Sequence, residues 1–200
     1  MPWPSIWSVR PFSANAMTFR PGDFALPAPE VARRLIGCRL IIGRCRGMIC
    51  ETEAYTHDDP ASHSFRGRTP RNAAMFGPAG HAYVYRSYGI HWCLNVVCME
   101  GTAVLLRAIE PQDGLEEMRQ RRGDVPDARL AAGPGRLGRA LGIGPALNGK
   151  PFDHPEFSIL PENPPGEVVA GPRIGISRAK ERPWRFGLRG SASLSRPFPE

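Results

Sequence analysis

Two hundred residues with 42% apolar content suit one domain with a real core, and no apolar run approaches the roughly 20 residues of a membrane span. Twenty-two glycines and 22 prolines mark a loop-rich chain, and five cysteines, odd in number and without a C-x-x-C pair, argue for small buried thiols in a reducing cytoplasm against a disulfide scaffold or zinc site. The net charge of +7 rests almost wholly on arginine (the only lysines are Lys150 and Lys180), which suits phosphate contacts, although a GC-rich genome would raise arginine, alanine, glycine and proline together.

Residues 1–16 lack a continuous apolar stretch before Ala14-Asn15-Ala16, so they read as a disordered extension rather than an export signal, with Met17 an alternative start. Residues 17–200 then form the domain. A short helix near Pro29–Ile36 has proline early and Gly37 just past its end. Arg39–Arg44 and Met48–Tyr55 read as a hairpin around Cys45-Arg46-Gly47. A polar loop follows to about Asn72, with a short helical element at Asn72–Met75. Tyr83–Tyr88 and His91–Val97 form a second hairpin turning at Gly89, and Ala103–Glu110 adds a strand. Asp113 is placed to cap a helix through Arg121, whose early glutamates and late arginines complement its dipole. A helix at Arg136–Leu141 and short strands around Phe157–Leu160, Arg173–Ile176 and Arg185–Arg189 complete an α+β domain with a mostly antiparallel, curved sheet and a few short helices.

Period-two alternation sorts the polar residues. Glu51, Glu53 and Tyr55 share one strand face, and the plain reading is a solvated edge. Tyr83 and Tyr85 share a face, as tyrosines in cross-strand packing do, whereas Tyr88 beside Gly89 is an exposed aromatic. Asn95 lies between Cys93 and Val97, where an amide needs hydrogen-bond partners. Arg107 is the sharpest case. It shares its face with Leu105 and Ile109, so its guanidinium needs a carboxylate or a ligand, and Glu53 is the natural candidate. The histidines lack metal-ligand spacing, and the glycines form neither G-x-G-x-x-G nor a P-loop.

The blocks ETEAY, HSFRGRTPRN, MFGPAGHAYVYRSYGIHWCLNVV, AVLLRAIEP, GPGRLGRALGI and RPWRFGLRG, in that order, resemble the 3-methyladenine (alkyladenine) DNA glycosylase family from about Phe24 to Leu188. The resemblance implies a monofunctional enzyme of base excision repair, using water as nucleophile and no metal or cofactor. Its substrate would be double-stranded DNA carrying alkylated or deaminated purines, and the enzyme a cytoplasmic, nucleoid-associated monomer. On the matching positions it makes Glu53 the general base, Arg107 its partner in holding the water, and His63 a contact to water and base. Tyr55 and Tyr85 would sandwich the extruded base with His63. Tyr88 would fill the gap in the duplex, and Asn95 would crowd the exocyclic amine of unmodified guanine. Arg66, Arg68, Arg71 and Arg136 would serve phosphates. The segment past Gly190 falls outside the resemblance and says nothing about activity. The alternative reading is a duplex-binding protein without catalysis. Paired hydrolytic carboxylates at Glu51 and Glu53 fit poorly, because both stand on one strand face instead of flanking a substrate.

Overall fold

The computed structural model describes residues 19–199, so the calls on residues 1–16 and Met17 lie outside the described residues. In chain order the elements are α1 (Pro21–Phe24), α2 (Ala28–Arg34), β1 (Arg39–Ile42), β2 (Cys45–Tyr55), β3 (Ala82–Ser87), β4 (His91–Val97), β5 (Ala103–Asp113), α3 (Leu115–Arg122), α4 (Asp127–Leu130) and α5 (Pro134–Ala140). They continue as β6 (Asp153–His154), β7 (Phe157–Leu160), β8 (Val168–Gly171) and β9 (Arg185–Leu188), with 3-10 turns at Ala73–Phe76 and Pro145–Leu147. The strands make one curled antiparallel sheet in the order β3-β4-β5-β2-β1-β7-β6, and β9 pairs both β2 and β8. The expected α+β architecture with a curved antiparallel sheet is therefore present. Among the described residues no helix is long and apolar enough to cross a membrane.

The two faces of the sheet have separate tasks. Ala82 and Val84 of β3, Leu94 and Val96 of β4, Val104 and Leu106 of β5 and Ala54 of β2 point to the main core, where they meet Val31 of α2, Leu35 just past its end and Leu137 of α5. The alternate positions point the other way. Tyr83, Val97, Ala103 and Met75 form a small second cluster, flanked by Tyr55 and Tyr85. A register shift between Ile49 and Glu51 changes the phase of β2, so Ile49 and Cys50 both enter the main core while Glu51 and Glu53 join the second face. Helix α5 approaches β4 closely: a Cβ on Gly138 would lie 2.0 Å from the Trp92 carbonyl oxygen, so only glycine permits this contact.

Several local expectations change. The first hairpin turns at Gly43-Arg44, because Cys45 and Arg46 are already paired with Ile42 and Ile41. Asp113 does not cap α3; it remains in β5 opposite Arg46, and Gly114 holds the cap position. Residues 173–176 form no strand, which matters for the site below. The solvated-edge reading of the glutamates also falls. β2 is an interior strand flanked by β1, β5 and β9, so Glu51 and Glu53 are fully buried. All five cysteines are buried and unpaired.

Candidate active site

On the second face of the sheet a cavity of about 450 Å³ opens to solvent, a size typical of small-molecule clefts. Its wall includes Tyr55, His63, Tyr83, Tyr85, Asn95 and Arg107, with Arg71 and Tyr88 also contributing. Six of the residues singled out in the sequence for base, water or wedge roles thus line one space, and Glu53 lies directly behind it. Arg136 lines a second, adjoining cavity with Arg122, Arg139 and Arg196, and Arg107 borders both. Arg66 and Arg68 border neither cavity and are exposed on the loop after β2.

Glu53 does not itself line the cavity but is the hub of its floor. Oε2 accepts the Tyr55 hydroxyl at 2.8 Å and ion-pairs with Arg107 Nη1 at 3.0 Å, and Oε1 accepts the Ile174 backbone N–H at 2.7 Å. A carboxylate offers about four acceptor positions, so Oε1 retains one beyond these three donors. The Ile174 N–H is available because residues 173–176 leave the sheet; a ladder strand would have committed it. Arg173 anchors that segment by pairing with buried Asp59, donating to the Ala54 carbonyl at 2.9 Å and lying 4.7 Å over the Tyr55 ring.

Arg107 is shared between two carboxylates: Nε meets Glu51 Oε1 at 2.9 Å while Nη1 meets Glu53. Glu51 also receives Arg185 Nε at 2.7 Å and the Ser195 N–H at 2.6 Å. Two buried glutamates therefore face two buried arginines. Burial alone would push the Glu51 carboxyl up, but Arg107, Arg185 and Ser195 together outweigh it and hold the group below the usual carboxylate range.

The aromatic wall is neutral. Burial, then the neighbouring Glu53 charge, drives the Tyr55 phenol well above its ordinary value; burial likewise raises Tyr85 and pushes Tyr83 up to about 12. His63, exposed at the cavity rim, shares a hydrogen bond of 2.9 Å with the Tyr83 hydroxyl and sets its ring edge-on to Tyr85 at 4.5 Å. Desolvation of its ring, then repulsion from Arg71, lowers its pKa. Asn95 is buried and donates to the Tyr83 carbonyl at 2.9 Å, which satisfies the amide between apolar neighbours.

Tyr88 stands at the tip of the β3–β4 hairpin, 86% exposed. The turn is closed by the Ile90 N–H on the Ser87 carbonyl, and both Tyr88 and Gly89 have positive φ, 49° and 71°. Glycine accepts that conformation freely; an aromatic residue there is held at a cost of order 1–2 kcal/mol.

Residues 22–192 match the family model for methylpurine-DNA glycosylases. The chain belongs to this family. Relatives provisionally named 3-methyladenine DNA glycosylase include one from Nitrosospira multiformis, 58% identical over 88% of this chain and 93% of the relative. Another, from Rhodopseudomonas palustris, is 57% identical over 88% and 90% of the two chains, and one from Agrobacterium fabrum is 54% identical over 88% and 91%.

Several residues of the candidate site in this methylpurine-DNA glycosylase family member carry no sign of their role in the sequence. Tyr83 reads as strand packing, yet its hydroxyl shares a hydrogen bond with His63. Arg173, Arg185 and Ser195 lie far along the chain from the glutamates they serve, and no local spacing announces them. The charge requirement at Arg107 was the one available signal. A single carboxylate opposite it left its second edge unaccounted for, and Glu51 supplies that partner.

Proposed function

We propose that this protein is a monofunctional DNA glycosylase that extrudes an alkylated or deaminated purine from duplex DNA into the tyrosine-lined cavity and hydrolyses its N-glycosidic bond with water. The observation that carries this reading is the union, in one cavity, of a neutral aromatic wall and a buried carboxylate behind its floor. A base in a duplex cannot be reached without flipping, which costs a few kcal/mol. Stacking on Tyr55 and Tyr85 against His63 returns roughly 1–3 kcal/mol per aromatic contact, and a cationic alkylpurine gains further cation–π attraction. Tyr88 occupies the vacated place in the stack.

Breaking the glycosidic bond builds positive charge on the sugar. Glu53, held by Arg107 and Tyr55, stabilises that charge and accepts a proton from water at its remaining acceptor position. Because Arg107 is divided between Glu51 and Glu53, its charge is not spent wholly on the catalytic carboxylate. The undissociated tyrosines add no competing anion. Asn95, fixed by its bond to the Tyr83 backbone, is placed to crowd the exocyclic amine of guanine. Neither Lys150 nor Lys180 lines either cavity, which favours water over an amine nucleophile.

The test is a duplex containing hypoxanthine or ethenoadenine, incubated with the protein and treated with alkali. Strand breaks at the lesion support the reading. Tight binding of the duplex with no breaks would instead identify a binding protein without catalysis.

The strain at Tyr88 gives an independent expectation. Tyr88→Gly should raise stability by about 0.5–1 kcal/mol by relieving positive φ, yet lower the excision rate at least tenfold by removing the wedge. Thermal melts and single-turnover rates on one preparation check both signs. For the phosphate contacts, Arg136→Ala should lower the slope of log Kd against log salt by about 1 without changing lesion preference.

A further inference from the structure

We propose that the C-terminal segment Ser193–Pro199 is a latch that positions Arg107, with Ser195 as its positioning residue; this rests on the glycosylase reading of the cavity. The segment lies beyond the family match, which ends at residue 192, where no sequence motif speaks to activity. The structure threads it beneath the active-site floor.

Ser195 makes three contacts with the buried ion cluster. Its backbone N–H donates to Glu51 Oε2 at 2.6 Å, its hydroxyl donates to Glu51 Oε1 at 2.7 Å, and the hydroxyl oxygen accepts from Arg107 Nη2 at 3.2 Å. The two arginines that reach Glu51 both do so at Oε1, so the donor to Oε2 comes from the tail. A carboxylate held at one oxygen turns readily about its terminal torsion, which is broad and two-fold. Fixing the second oxygen sets the plane of Glu51, and with it the edge that Arg107 must follow. Arg107 in turn presents Nη1 to Glu53.

The rest of the segment is secured independently. Arg185 donates to the carbonyls of Arg196 and Pro197, and Phe198 lies 3.9 Å from its guanidinium carbon. Phe198 covers Gly187, where a Cβ would come within 2.4 Å of the ring; only glycine in β9 leaves room for it. Arg129 of α4 donates to the Leu194 carbonyl at 3.2 Å. Neither Ser195 nor Phe198 lines the tyrosine cavity, so the latch acts through Glu51 and Arg107 and not by touching a base.

The experiment uses the full chain and a hypoxanthine duplex, measuring the single-turnover excision rate alongside the Kd for an abasic-site analogue. Ser195→Ala is expected to slow excision about tenfold, with Kd within twofold of wild type and Tm lowered by less than about 4 °C. Ser195→Thr, which keeps the hydroxyl, should recover at least half of the loss. Phe198→Ala should slow excision with Kd again unchanged. An active wild type with Ser195→Ala at an unchanged rate would overturn the latch alone. So would a rate loss that Ser195→Thr fails to relieve, or one matched by an equal loss of binding. An inactive wild type would overturn the glycosylase reading and this proposal with it.

Discussion

Replacing Glu53 with glutamine is expected to lower the single-turnover excision rate by about 10²–10⁴-fold, while Kd for an abasic-site analogue stays within a few-fold of wild type. Glutamine keeps the shape of the side chain but removes the charge. It cannot accept a proton from water, and it no longer stabilises the positive sugar that forms as the base departs. The three donors around Glu53 sharpen the expectation. The Tyr55 hydroxyl, Arg107 Nη1 and the Ile174 N–H all point at carboxylate oxygens, so the NH₂ group of glutamine must confront at least one of them. A modest fall in stability, about 1–3 kcal/mol, should accompany the loss of rate. Rates taken well below the melting temperature separate the two effects. A Glu53→Gln protein that excises within threefold of wild type would remove Glu53 from the chemistry.

Arg107→Met should have the largest effect on stability, lowering it by about 3–5 kcal/mol near neutral pH. Methionine fills part of the volume but leaves Glu53 without its guanidinium and Glu51 with Arg185 and the Ser195 donors. The pH dependence has a definite sign. In the wild type Glu51 titrates below its ordinary value, so its contribution is present above the unfolded pKa and is lost as pH falls through the folded one. Without Arg107 the burial of Glu51 is less well opposed, and protonation relieves it. The gap in Tm between wild type and Arg107→Met should therefore be widest at about pH 7–8 and narrow towards about pH 5. Melts across that range check it; a gap constant with pH would mean that Arg107 contributes packing and not charge neutralisation. Excision should fall with the mutation as well, since Glu53 loses the group that orients it.

Arg107 also shows what the sequence made legible. A guanidinium placed in phase with Leu105 and Ile109 needs a counter-charge whatever the fold, and the structure supplies Glu53 as anticipated. Tyr88 was equally readable, because an aromatic beside a turn glycine has nowhere to bury itself. The alternation of β3, β4 and β5 likewise sorted Tyr85, Asn95 and Arg107 onto one face. What escaped were features set by distant chain segments. Glu51 looked like a solvent-facing partner of Glu53 because its own partners, Arg185 and Ser195, lie 134 and 144 residues further on. Residues 173–176 had the composition of a strand, but the Ile174 N–H is taken by a carboxylate, a competition visible only in three dimensions. Asp113 had the chemistry of a cap, yet β5 runs long enough to keep it opposite Arg46.

The proposed mechanism turns on water, activated at Glu53, attacking the sugar of a base held in the tyrosine cavity. The direct measurement is excision of hypoxanthine from a duplex in two parallel arms on denaturing gels, one with borohydride present to trap any protein–DNA adduct and one without it, treated afterwards with alkali. The expected result is an alkali-labile site at the lesion and no protein–DNA adduct, because no protein amine bonds to the sugar. A trapped covalent adduct, or an intact strand after alkali, would contradict it.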